Sequence, residues 1–117
     1  MLSTFDLAGH VIGVILDKDM TKEAVQEIID KIEEKLLIYD TINVFVEIEK
    51  DRKISIIGLL NGIKFKYQNS SKLDKFAVVT DSRWFKKAIH ISDVFLDVDV
   101  RTFDIKDRLE AIQWISQ

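Results

Sequence analysis

Phe76-Ala-Val-Val-Thr-Asp-Ser-Arg-Trp84 is the stretch that decides how this chain folds. Phe76 to Thr80 runs apolar or β-branched without alternation, which predicts a strand covered on both faces, as in a parallel sheet. Asp81 and Ser82 stand where a helix start needs acceptors, and a helix is expected from Arg83 to about Ile91. A covered strand that hands over directly to a helix is half of a βαβ unit.

Toward the C-terminus, Val98–Phe103 reads as the last strand and Asp104 as the cap of a terminal helix. Ile105, Leu109, Ile112 and Ile115 form its expected inward stripe, Asp107 sits near its positive end, and Trp114 falls off the stripe, in a rim position. Toward the N-terminus, Ile54 to about Tyr67 reads as another helix. Ile42, Val44, Val46 and Ile48 alternate with Asn43, Phe45, Glu47 and Glu49, which predicts a strand with one face buried and the other partly wet, and helices crowded on one side of the sheet. From Thr21, Val25, Ile28, Ile29, Ile32 and Leu36 recur at helical spacing opposite Lys22, Glu27, Lys31 and Glu34. Leu2–Leu7 and His10–Leu16 flank Ala8-Gly9, where Gly9 is expected to supply the positive φ of a tight hairpin.

The predicted order is β-β-α-β-α-β-α-β-α, an α/β fold with about five strands in a mixed sheet and four helices. Crossover helices force parallel neighbours, so four parallel strands and one antiparallel edge strand are expected. No linker, low-complexity tract or fixed-period repeat divides residues 1–117, and the expectation is one domain. With no cysteine, disulfides and thiolate zinc sites are excluded. The first residues lack the pattern of a signal peptide and no apolar run approaches a membrane span, so the expected location is the cytoplasm.

Charge is sorted along the chain. Arg52 to His90 holds nine basic residues against two acids, a surplus of +7, while residues 1–51 and 91–117 together carry −10 and the total is −3. Opposed fields of this kind steer anionic partners to one face, which points to the middle third for function. On a helical wheel, Ile56, Ile57, Leu59, Leu60, Ile63 and Tyr67 share the core face of the second helix. Ile54 and Phe65 fall opposite, near Gly58 and Gly62. In the third helix, Trp84, Phe85, Ala88, Ile89 and Ile91 make an apolar arc beside a basic stripe of Arg83, Lys86, Lys87 and His90. That pairing suits a helix lying at an anionic membrane surface. The same arc is also what ordinary core packing produces, with the basic stripe simply solvated.

The element order, the Phe76–Trp84 junction, and Val100-Arg-Thr-Phe-Asp104 followed by Ala111-Ile-Gln-Trp-Ile115 resemble the SpoIIAA-like family of small bacterial proteins, related in fold to STAS domains. The resemblance implies a SpoIIAA-like α/β fold, no enzymatic activity, and binding of apolar ligands or membrane surfaces by analogy with Sec14/CRAL-TRIO lipid-binding domains. Anti-sigma-factor antagonists of the related type carry an Asp-Ser-Ser-Gly-type phosphorylation motif after the middle strand. Here that place reads Ile54-Ser-Ile-Ile-Gly58, so only Ser55 stands in, without its acidic neighbour.

The reading that combines these signals is a non-enzymatic binding module, with no catalytic residue, metal or cofactor. Its expected ligand or membrane contacts are Lys64, Phe65, Lys66, Arg83, Trp84, Phe85, Lys86 and Lys87, meeting an apolar small molecule or an anionic lipid surface at the inner membrane face. A protein-interaction regulatory domain of the anti-sigma-factor-antagonist type, docking a protein partner by the same face and modulated at Ser55, is the alternative. A third reading is a Mg²⁺-dependent enzyme using the acids that follow strands, Asp17, Glu49, Asp51, Asp81 and Asp104. Against it, Asp81 and Asp104 stand where caps are wanted, and neither His10 nor His90 has a partner at metal or triad spacing. Nucleic acid is not an expected partner, because the chain is net acidic and has no groove-reading motif.

Overall fold

The structure is a computed structural model of the 117-residue chain, and it describes residues 2–7, 9–16, 22–48, 72–81, 83 and 99–117. Strands β1 (Leu2–Asp6) and β2 (Val11–Leu16) are followed by helix α1 (Lys22–Leu36), strands β3 (Ile42–Ile48), β4 (Leu73–Val79) and β5 (Asp99–Phe103), a 3₁₀ turn (Ile105–Asp107) and helix α2 (Arg108–Ser116). The strands form one sheet in the order β1-β2-β3-β4-β5. β1 runs antiparallel to β2, with Leu2 opposite Leu16 and Asp6 opposite Ile12. β2, β3, β4 and β5 are mutually parallel, as the βαβ reading requires. Two helices lie within the described residues. The helices expected at 54–67 and 83–91 lie outside them, apart from Arg83.

β4 begins at Leu73, three residues before the expected strand, and the run Phe76 to Thr80 is buried throughout. α1 packs Ile28 and Ile32 on one sheet face against Ile12, Val14, Leu16, Val44, Val46 and Ile48, with Ile29 and Leu36 partly buried at its margin. The expectation that helices crowd one side is corrected here. α2 lies on the other face, where Ala111 and Ile115 meet Val11, Phe45, Ala77 and Val79. The handedness rule assigns crossover helices to a face, but α2 follows the last strand and crosses nothing, so that rule does not bind it.

The expected wet face of β3 is a second correction. Every residue of β3 is buried, including Asn43, Phe45 and Glu47. The polar side chains at alternate positions are not facing water; they face α2.

The inward stripe of the terminal helix also differs. Leu109 is 75% exposed, whereas Ala111 and Ile115 are fully buried and Ile105 and Ile112 are partly buried. The reason is the 3₁₀ turn at Ile105–Asp107, whose three residues per turn shift the phase before the α-helix begins at Arg108. The sheet-facing line then becomes Arg108, Ala111 and Ile115. Asp104 precedes the 3₁₀ turn without capping it through its side chain.

Gly9 does not supply a left-handed turn conformation, since its φ lies outside that region. A Cβ there would lie 2.9 Å from Tyr39 Cζ and closer still to the hydroxyl. Lys35 Nζ donates to the Gly9 carbonyl at 2.8 Å, so the end of α1 is tied to this turn.

Candidate functional site

At the carboxyl ends of the parallel strands, β3 presents Glu47 and α2 begins with Arg108. Arg108 Nε and Nη2 donate to the two carboxylate oxygens of Glu47, the second at 2.9 Å. Glu47 is only 5% exposed, while the Arg108 side chain keeps 49% of its surface in solvent. The hydrogen bond that Arg108 donates to Glu47, and then the Glu47 charge, hold the Arg108 guanidinium above the usual arginine value against an opposing effect of burial. A bidentate fork of this kind fixes geometry as well as charge. Beside it, the Asp81 carboxylate accepts from the Ile105 backbone N–H at 3.0 Å. The acid following β4 therefore caps the 3₁₀ turn that leads into α2.

At the opposite end of α2, Asn43 Nδ2 donates to the Ile115 carbonyl at 2.8 Å and Asn43 Oδ1 accepts from the Lys75 backbone N–H at 3.2 Å. Trp114 is half-buried in the last turn of α2, its ring 6.1 Å from that of Phe103 and inclined at 48°. Lys75 Nζ lies 5.4 Å and Arg101 Cζ 4.7 Å from the Trp114 ring centroid. The rim position expected for Trp114 is where the structure places it, with two cations that its sequence neighbourhood did not announce.

Of the residues expected to form the binding surface, Arg83 is exposed just beyond β4. Lys64, Phe65, Lys66, Trp84, Phe85, Lys86 and Lys87 lie outside the described residues, as does Ser55. Of the acids in the Mg²⁺ reading, Asp81 serves as the acceptor described above, and Asp17, Glu49 and Asp51 lie outside the described residues. Among the described residues no three His, Cys, Asp or Glu side chains gather into a metal site. His10 stands against the Tyr39 ring at 6.5 Å between centroids.

The turn after α1 displays Leu37 and Ile38, which are 87% and 77% exposed. The sequence offered one signal for this pair: they continue the helix past Leu36, where its last residue on the core stripe has already been placed.

A family model for SpoIIAA-like proteins matches residues 11–116, from the start of β2 to the end of α2. The chain belongs to the SpoIIAA-like family. The family fits a non-enzymatic regulatory or binding module, and the four parallel strands with helices on their faces fit its α/β fold. Comparison with curated proteins and with solved structures returned no match in either case. No helix among the described residues is long and apolar enough to cross a membrane.

Proposed function

We propose that this SpoIIAA-like protein binds an apolar, lipid-like ligand or attaches peripherally to an anionic membrane surface at the inner face of the cytoplasmic membrane. The contacts are Phe65, Trp84 and Phe85, flanked by Lys64, Lys66, Arg83, Lys86 and Lys87. The observation that carries the reading is the sorting of charge, a +7 segment between acidic flanks that also holds these aromatic residues. The exposure of Arg83 supports it. Each Lys or Arg near an anionic leaflet contributes about 1 kcal/mol before screening, so several of them with one inserted ring give weak, reversible attachment.

Co-sedimentation with vesicles tests the proposal. Binding to anionic but not zwitterionic vesicles, weakened by salt and by Lys86→Glu with Lys87→Glu, is the expected result. No binding to anionic vesicles at low salt discards the membrane arm. Extraction of the purified protein into organic solvent, with no co-purified apolar molecule found by mass spectrometry, discards the ligand arm.

A protein-interaction role is the second reading, and Leu37 and Ile38 favour it. Two adjacent aliphatic side chains left almost fully in water form a compact contact of the kind a partner protein covers. Capture of a partner by the wild type and not by Leu37→Ser with Ile38→Ser, both folded, would support this reading over the first.

A further inference from the structure

We propose that Lys75, Arg101 and Trp114 form a binding site for a phosphate-type oxyanion on the α2 side of the sheet. The register places Lys75 beside Asp99 and Ala77 beside Arg101, so the two cations are diagonal neighbours on β4 and β5. Both reach toward the same indole, at 5.4 Å and 4.7 Å from its centroid, and are therefore no more than about 10 Å apart. An oxyanion placed between them is attracted by both charges. Asp99, the carboxylate nearest in register, stands beside Lys75 and two residues before Arg101 on the same face of β5, so its charge competes with a bound anion.

The donor inventory sharpens this. A lysine ammonium, an arginine guanidinium and an indole N–H are donors only, with no acceptor among them. Such a constellation is complementary to a ligand made of acceptor oxygens, and a phosphate group offers the most in the smallest volume. Arg101 is exposed and Lys75 and Trp114 are half-buried, so the site is open to solution while the indole is held against Phe103. The carboxyl end of α2, with about half a negative charge, and the Asp99 carboxylate oppose the anion, against two full cations. The phosphate is either free or the headgroup of a lipid, and the chemistry of recognition is the same.

The test uses Trp114 as its own reporter in a Trp84→Phe background. Inorganic phosphate is titrated at constant ionic strength with chloride as the balancing anion, and the indole fluorescence is followed. A saturable change is expected, weakened at least tenfold by Lys75→Gln and by Arg101→Gln and strengthened by Asp99→Asn. No saturable change, or the same change in the charge-removed variants, overturns the proposal. Should Trp84→Phe fail to fold, the Trp114 indole N–H resonance of the wild-type protein gives the same decision by NMR. Repeating the titration with soluble dihexanoyl phosphatidate separates the sources: tighter binding than inorganic phosphate assigns the lipid headgroup, equal or weaker binding the free ion.

Discussion

The side-chain amide of Asn43 donates to the carbonyl of Ile115 across 72 positions of sequence, at 2.8 Å, with neither group open to water. Four residues along the same strand, Glu47 receives the guanidinium of Arg108. The even spacing puts both polar groups on one face of β3, about 13 Å apart. Arg108 and Ile115 are separated by about 10 Å of helical rise, which the lengths of the two side chains accommodate. One strand thus grips α2 at its first residue and near its last.

Asn43→Ala removes a donor and an acceptor together, leaving the Ile115 carbonyl and the Lys75 N–H without this partner. A loss of about 2–3 kcal/mol is expected. Denaturant unfolding measures it, and hydrogen exchange should show the last turn of α2 losing protection before the centre of β3. A cost under about 0.5 kcal/mol would mean that water replaces the amide without penalty.

Arg108→Ala leaves the Glu47 carboxylate in its buried place without its cation. Because half of Arg108 is in solvent, the penalty is discounted from that of a fully buried pair to about 1–3 kcal/mol. Replacing both partners, Glu47→Leu with Arg108→Met, should restore most of that loss, and a double-mutant cycle reads the coupling. The raised Arg108 value also fixes a sign. A cation held above its unfolded value stabilises fully below that value and loses the effect only as pH rises through the folded one. The Arg108 contribution is therefore constant from neutral pH up to the arginine range, and the Arg108→Ala penalty measured at pH 7 and at pH 10 should agree.

Gly9→Ala drives a methyl group into the Tyr39 ring. Because the atoms met are the outer end of the Tyr39 ring, which can shift aside, the expected cost is about 1 kcal/mol, the low end of the overpacking range. In a Tyr39→Leu background the same change should cost less than half as much. An equal cost in both backgrounds would place the requirement for glycine in the backbone and not in the ring.

The parallel sheet was legible because its signals are local. Phe76 to Thr80 has no alternation, α1 carries its stripe at Ile28 and Ile32, and each strand is punctuated by a helix pattern. The second face was not legible. Asn43 and Glu47 look like solvent positions until Ile115 and Arg108 arrive from more than 60 residues away, and no local pattern encodes that meeting. Asp81 shows the same limit: a capping acid was visible, but the backbone N–H it caps, that of Ile105, belongs to a different segment. The shift of the inward stripe from Leu109 to Ala111 rests on one tight turn, since a 3₁₀ start and an α start differ by too little sequence to be told apart. Of the residues expected at the binding surface, all but Arg83 were visible as a composition and remain so, because they lie outside the described residues.

A covering supplied by the last of the described elements has a consequence for biosynthesis. Before residues 108–116 are made, Phe45, Ala77 and Val79 lack Ala111 and Ile115, the α2 side chains that among the described residues pack on them, and that apolar surface favours self-association. Synthesis of α2 is thus the step that, among the described residues, closes this side of the sheet.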